Sequence, residues 1–232
     1  MNKKVAIVQS NYIPWKGYFD LINSVDEFIL LDTVQYTRRD WRNRNKIKIV
    51  GGTTWLTIPV NVKGRFTQRI CDTTIQDAGW ASVHWRSICQ GYARAPYFDE
   101  YRSSFEDLYL GCREENLSRV NHKFLQAICE ILSIETTLTR LFEADSAPDA
   151  TDRLLQLCTQ AGAHEYVSGP AARGYLDDRR FLDAGISVSW MNYDGYRPYA
   201  QLHAPYVDRV SVLDLIFCEG PRATEFMKSF DG

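Results

Sequence analysis

The densest chemistry in this sequence lies between Arg38 and Lys48. Arg38, Arg39, Arg42, Arg44, Lys46 and Lys48 stand there against one carboxylate, Asp40. The whole chain carries a formal net charge of −2, so the cationic density is local. In a strand, side chains alternate between faces. Alternation puts Arg42, Arg44, Lys46 and Lys48 on one face and Asn43, Asn45 and Ile47 on the other. Four like charges on one face repel unless an anion answers them. A phosphate or diphosphate does so, and the guanidinium fork binds its oxygens in pairs. The competing reading is an edge strand kept charged against aggregation. The interleaved asparagines and Trp41 weigh towards the anion.

A second concentration runs from Gln9 to Tyr18. It offers the amides of Gln9 and Asn11, the rings of Tyr12 and Trp15, and the amine of Lys16. Such a loop matters if it follows a parallel strand, because ligands gather at the carboxyl ends of those strands. It also opens a helix, whose N-terminus favours anions. The plainer alternative is that Tyr12, Trp15 and Tyr18 simply pack. Asp32 and Gln35 follow the next apolar run and would share that edge of the sheet. Asp32 could serve as a general base, a metal ligand or a partner for the nearby arginines. Ser168, before Gly169 and Pro170, marks another helix start of the kind that receives phosphate.

Several chemistries are missing. No Walker A loop, no G-x-G-x-x-G and no G-x-S-x-G elbow occurs. The 4 histidines, at positions 84, 122, 164 and 203, have no zinc-like spacing, and no metal is expected. His84, near Trp80 and Trp85, reads as a packed histidine. The 6 cysteines form no C-x-x-C pair and read as reduced, mostly buried thiols.

The elements that would position these groups are legible in outline. Lys4 to Gln9 is a short β-branched run, a buried strand. Trp15, Tyr18, Phe19 and Ile22 have helical spacing. Glu27 to Leu31 is a second strand, which makes a βαβ unit and a parallel pair. Residues 45–50 and 54–60 read as a hairpin turning at Gly51 and Gly52. Residues 62–70 read as a loop into one more strand. Helices are expected over 77–93, 97–111 and 117–132, and residues 133–150 as an irregular connector with a turn at 145–149. A helix from Thr151 to about Ala161, a strand at 165–167, a helix through Tyr175 and a strand over 186–191 follow. Residues 211–217 fit either a short strand or a helix. The expected architecture is α/β: a small mixed or parallel sheet with a βαβ start and a helical subdomain. One domain covers 1–232, with a helical insertion at about 77–135.

Composition agrees with a folded chain. Of its 232 residues, 45% are apolar and 24% charged. Aromatics reach 13%, enough both to fill a core and to line a pocket. Net charge gives no case for DNA. The first apolar run is too short for a signal segment, and no stretch reaches the length of a membrane span. The expected location is the cytoplasm.

The stretches from Gln9 to Asp20, Phe28 to Tyr36 and Trp41 to Lys48 resemble those of the WbqC-like protein family. Trp55 to Val60, Tyr166 to Ala172 and Ser211 to Phe217 extend the resemblance over almost the whole chain. Many members carry His-Gln-Pro where this sequence has Val8, Gln9 and Ser10, so a role for that histidine has no counterpart at Val8. The resemblance implies surface-polysaccharide (O-antigen, lipopolysaccharide) biosynthesis. It implies an enzyme that transfers an acyl or aminoacyl group, such as glycyl, to an amino sugar carried on a nucleotide.

On that expectation the basic strand holds the diphosphate and the aromatic loop stacks on base or sugar. Asp32 and Gln9 are the catalytic candidates, with Asp32 taking the proton of the attacking amine. Asn11, Tyr12, Trp15, Lys16, Gln35, Arg38, Arg42, Asn43, Arg44, Asn45 and Ser168 are the binding candidates. ATP, an aminoacyl-tRNA or a thioester each suit the donor. Arg42→Ala and Arg44→Ala are expected to weaken phosphate binding without unfolding the chain. Two other classes stay open: an ATP-dependent, adenylate-forming or nucleotidyltransferase-like enzyme, and a non-catalytic nucleotide-sugar-binding subunit.

Overall fold

A computed structural model describes residues 2–141, 147 and 149–230. Strand β1 (Lys4–Val8), helix α1 (Lys16–Asn23) and strand β2 (Glu27–Leu30) form the expected βαβ unit. The strands pair in parallel, Val5 opposite Glu27 and Val8 opposite Leu30. A hairpin follows, β3 (Arg44–Ile49) and β4 (Gly52–Thr57). Its turn needs left-handed backbone, which Gly51 supplies at φ 80°. Helices α2 (Trp80–Tyr92), α3 (Phe98–Leu110) and α4 (Leu117–Ile131) come next, close to their expected bounds. In α4 the residues Leu117, Val120, Phe124, Leu125 and Ile128 are buried at spacings of three and four, so one stripe faces the core.

The last third alternates again. Strand β5 (Thr137–Arg140), helix α5 (Ala150–Gln160), strand β6 (Glu165–Ser168), helix α6 (Asp178–Asp183), strand β7 (Ser187–Trp190) and helix α7 (Val212–Glu219) follow in order. The five strands outside the hairpin make one sheet in the order β5-β2-β1-β6-β7, and every pair is parallel. The hairpin is a separate two-stranded sheet.

The alternation of β1 shows why both sheet faces are covered. Ala6, with Phe28 and Leu30 of β2, joins a large apolar core shared with α1, α2, α3, α4 and α7. Val5 and Ile7, with Ile29 of β2, face a second core built with Leu154, Leu157 and Phe181 of α5 and α6. Strands apolar on both faces are the mark of a parallel sheet with helices on each side.

The structure departs from the sequence reading in two places and decides a third that the sequence left open. Residues 62–70 lead into a 3-10 turn at Ile70–Asp72 rather than a strand. The irregular connector contains β5, an edge strand whose half-polar Thr-Leu-Thr-Arg sequence hides its role. Residues 211–217 are helical, started by Ser211, whose hydroxyl accepts from the Leu213 amide at 3.4 Å. The turn expected at 145–149 lies largely outside the described residues. Among the described residues no helix is long and apolar enough to cross a membrane. All six cysteines are free, and three of them are buried.

Candidate active site at the switch point

The sheet winds one way from β1 to β2 and β5, and the other way to β6 and β7. Connections diverge at such a reversal, so a crevice opens beyond the carboxyl ends of the two central strands. The loop after β1 and the Ser168-Gly169-Pro170 corner after β6 therefore face each other. A chamber of about 410 Å³ lies there, lined by Gln9, Tyr18, Leu154, Ser168 and Tyr193 among others. A second, of about 440 Å³, is lined by Asn11, Trp15, Trp41, Asn45 and Arg209. Gly169, Ala171 and Tyr193 border both, so the two form one crevice with Tyr193 at its waist.

The loop from Gln9 to Pro14 is held by its backbone. Asp32 is buried; its carboxylate accepts from the Ser10 amide at 2.8 Å and from the Ser118 hydroxyl at 2.5 Å. Arg42 is buried as well, and its guanidinium donates to the Gln9 carbonyl at 3.1 Å and the Ser10 carbonyl at 3.3 Å. The Asn45 amide donates to the Ile13 carbonyl at 2.9 Å. Asn121 of α4 donates to the Ser10 hydroxyl and the Arg42 carbonyl, both at 2.9 Å. These clamps hold Ile13 at φ 38°, a conformation that costs a β-branched residue about 1–3 kcal/mol. Strain kept in place by four buried side chains marks a loop whose shape matters.

The predicted residues thus divide. Gln9, Asn11, Trp15, Asn45 and Ser168 line the crevice. Asp32 and Arg42 lie behind it as clamps. Tyr12 is in the core, its hydroxyl 2.9 Å from both His84 Nδ1 and the Tyr109 hydroxyl. Lys16 is also buried; it donates to the Arg197 carbonyl at 3.1 Å and lies over the rings of Tyr196 and Tyr199. Burial holds its pKa below the usual lysine value, while Asp208 and Asp20 oppose that shift.

The four-cation face does not exist as expected. Arg42 precedes β3 and turns inward, and Lys48 is fully buried, donating to the Pro205 carbonyl. Arg44 and Lys46 remain on the outside, 4.2 and 5.0 Å from the ring of Trp55. Gln35, Arg38 and Asn43 stand away from the crevice, bonded to the carbonyls of Phe66, Val62 and Ile58.

Sequence reasoning missed Tyr193 and Arg209. Tyr193 lies just beyond the end of β7, the same sheet edge as Gln9 and Ser168, so its position after a strand was a usable signal. Arg209 had none; it reaches the crevice because Ser211 donates to Lys46 and Val212 to Pro14 through backbone bonds of 2.8 and 2.9 Å. Its guanidinium then lies 5.3 Å over the ring of Trp15. Trp15 also meets Tyr193 edge-on at 5.4 Å.

Electrostatically the crevice is aromatic and amidic, with a cationic rim. Among the described residues no Asp, Glu or His lines either chamber. Burial raises Tyr193 to about 12, so its hydroxyl stays protonated near neutral pH. Asn11 Oδ1 is buried with no hydrogen-bond partner in the protein. A buried acceptor left unpaired is costly, so that oxygen is open to a donor from water or a ligand in the crevice. Among the described residues no three His, Cys, Asp or Glu side chains converge as metal ligands.

The model of the WbqC-like protein family matches residues 9–226. The chain is 50% identical over 226 residues to the "Uncharacterized protein Rv1507c" of Mycobacterium tuberculosis, covering 97% of this chain and 98% of that protein. No solved structure shows significant similarity to the chain.

Proposed function

The chain belongs to the WbqC-like protein family, and we propose that its switch-point crevice binds a nucleotide-linked amino sugar and transfers an acyl or aminoacyl group to the sugar nitrogen. The observation that carries this reading is the unpartnered Asn11 Oδ1 inside a crevice of rings and amides. An amine N–H is the donor it lacks. Trp15, Trp41 and Tyr193 suit a base or sugar face, and Arg209 at the rim suits the diphosphate.

In the proposed step the neutral amine attacks the acyl carbonyl carbon. A C–N bond forms and the bond from that carbon to the donor's oxygen or sulfur breaks. The departing atom takes the proton that nitrogen loses. In this reading Asn11 orients the amine by accepting one N–H, and the Gln9 amide, from the adjoining chamber, donates to the carbonyl oxygen as charge develops there. Asp32 contributes by fixing the loop, because its carboxylate is spent on Ser10 and Ser118. Donor activation by ATP, an aminoacyl-tRNA or a thioester all fit this scheme.

The family setting implied by the resemblance is surface-polysaccharide assembly, with the protein acting in the cytoplasm. Among the described residues the lining has no acidic or imidazole group, which favours, as a second reading, a binding subunit without chemistry. Incubation with nucleotide-linked amino sugars and each donor class, followed by mass spectrometry, separates the two. Acylated product lost in Asn11→Ala supports transfer; tight binding with no product from any donor supports the binding subunit.

A further inference from the structure

Residues 38–66 hold eight Lys or Arg and one carboxylate, although the whole chain is net negative. Arg42 and Lys48 are buried, which leaves Arg38, Arg39, Lys63 and Arg65 exposed and Arg44 and Lys46 half-buried. The single carboxylate, Asp40, lies 3.6 Å from Arg42 and accepts from Thr37 at 2.7 Å. Among the described residues none of the six makes an ion pair with a carboxylate.

Rings are set among these cations. Trp41 and Trp55 are each 41% exposed and lie 5.5 Å apart, and Phe66 is 72% exposed. Arg44 covers one side of Trp55, and its guanidinium reaches the Arg39 carbonyl. Arg38 lies 5.3 Å over Phe66. These contacts join Trp55, Arg44, Arg39, Arg38 and Phe66 into one continuous strip. It begins at Trp41, which also lines the crevice.

Three exposed rings set in a row of cations without ion-pair partners are not needed for solubility alone. Together they make the surface that binds single-stranded nucleic acid, with rings for the bases and cations for the phosphates. We propose that this strip binds the single-stranded end of an RNA. On the transfer reading above, which this inference deepens, that RNA is the carrier of the acyl group. Its terminal ester would enter the crevice past Trp41. The amine would attack the ester carbonyl, the C–O bond to the terminal ribose would break, and the ribose oxygen would leave with the amine's proton. No further co-reactant is needed.

The test is fluorescence anisotropy with a labelled single-stranded RNA of about twelve nucleotides, at low and moderate salt. The expected result is binding that grows with oligonucleotide length and weakens as salt rises. Trp55→Ala should weaken it about ten-fold, a typical loss for one stacked base. Paired replacement of Arg44 and Lys46 by Ala should weaken it further and flatten the salt dependence. Trp55 lines neither chamber, so Trp55→Ala should leave binding of a nucleotide-linked amino sugar unchanged. No binding at low salt, equal binding by both variants, or a mononucleotide binding as tightly as the RNA would each overturn the proposal. Loss of the sugar ligand from the crevice, with RNA binding intact, would instead count against the transfer reading.

Discussion

The buried ionisable residues decide how this site is built. Asp32 has the position of a general base in the sequence, yet its two oxygens are occupied by Ser10 and Ser118. Asparagine can meet the same partners: its oxygen accepts from Ser10, and its amide donates to a rotated Ser118 hydroxyl. Asp32→Asn should therefore keep ligand binding and turnover within a few-fold and cost about 1 kcal/mol of stability. Asp32→Ala orphans the Ser10 amide and should cost about 3 kcal/mol in urea unfolding, with ligand binding lost. A base would give the opposite pattern, with Asp32→Asn folded, ligand-bound and inactive. Arg42→Ala belongs with the clamps too; it should destabilise the loop, contrary to the expectation drawn from a solvated basic face.

His84 gives a pH signature. Its Nε2 faces the Thr57 carbonyl at 3.1 Å and must carry the proton, so Nδ1 accepts from Tyr12. Burial lowers its pKa from 6.5 to about 4, with the Thr57 contact opposing. Above pH 6.5 the group is neutral in both states and adds no pH dependence. As pH falls from 6.5 to about 4, the unfolded chain takes a proton that the folded chain refuses. Stability should fall by about 3 kcal/mol across that window from this group alone. Denaturant unfolding of His84→Gln should show a shallower slope there. An identical slope would contradict the assignment.

At the scale of elements, two helical glycines give contrasting tests. A Cβ on Gly91 of α2 would lie 2.8 Å from the Lys48 backbone carbonyl, so α2 touches β3 directly at that point. Alanine normally stabilises a helix interior by about 1 kcal/mol over glycine. Gly91→Ala should reverse that sign and lower the melting point, because backbone must move. In Gly17→Ala the Cβ would meet the Trp15 ring at 2.4 Å. A side chain can yield where backbone cannot, so stability should change little. The ring would leave Tyr193 and Arg209, changing tryptophan fluorescence and lowering affinity in the crevice.

Element prediction worked where periodicity was strong. The three helices around α2 to α4 and the βαβ start follow from apolar spacing. The edge strand β5 and the 3-10 turn at Ile70–Asp72 carry no such pattern, since neither presents a full apolar face. The face assignment of the basic stretch failed for a specific reason. Alternation holds only inside a strand, and Arg42 lies two residues before β3 begins. Lys48 obeys alternation, but the segment around Pro205, distant in sequence, covers it.

For the whole molecule, the order β5-β2-β1-β6-β7 determines where a ligand can sit. The crevice joins residues from the first fifty positions to Ser168, Tyr193 and Arg209. The sequence showed the first group because its amides and rings are close together in the chain. It could not show Arg209, which arrives through tertiary contacts of the segment before α7. The same arrangement separates two surfaces: the amide-lined crevice, and the outer strip bearing Arg44, Lys46 and Trp55.

The most direct test of this division is a binding titration of a nucleotide-linked amino sugar, read as a concentration-dependent rise in melting temperature. The parent chain and Arg44→Ala should give the same curve, while Asn11→Ala should need about ten-fold more ligand for the same shift. A shift abolished by Arg44→Ala but kept in Asn11→Ala would place the ligand on the outer strip and contradict the switch-point site.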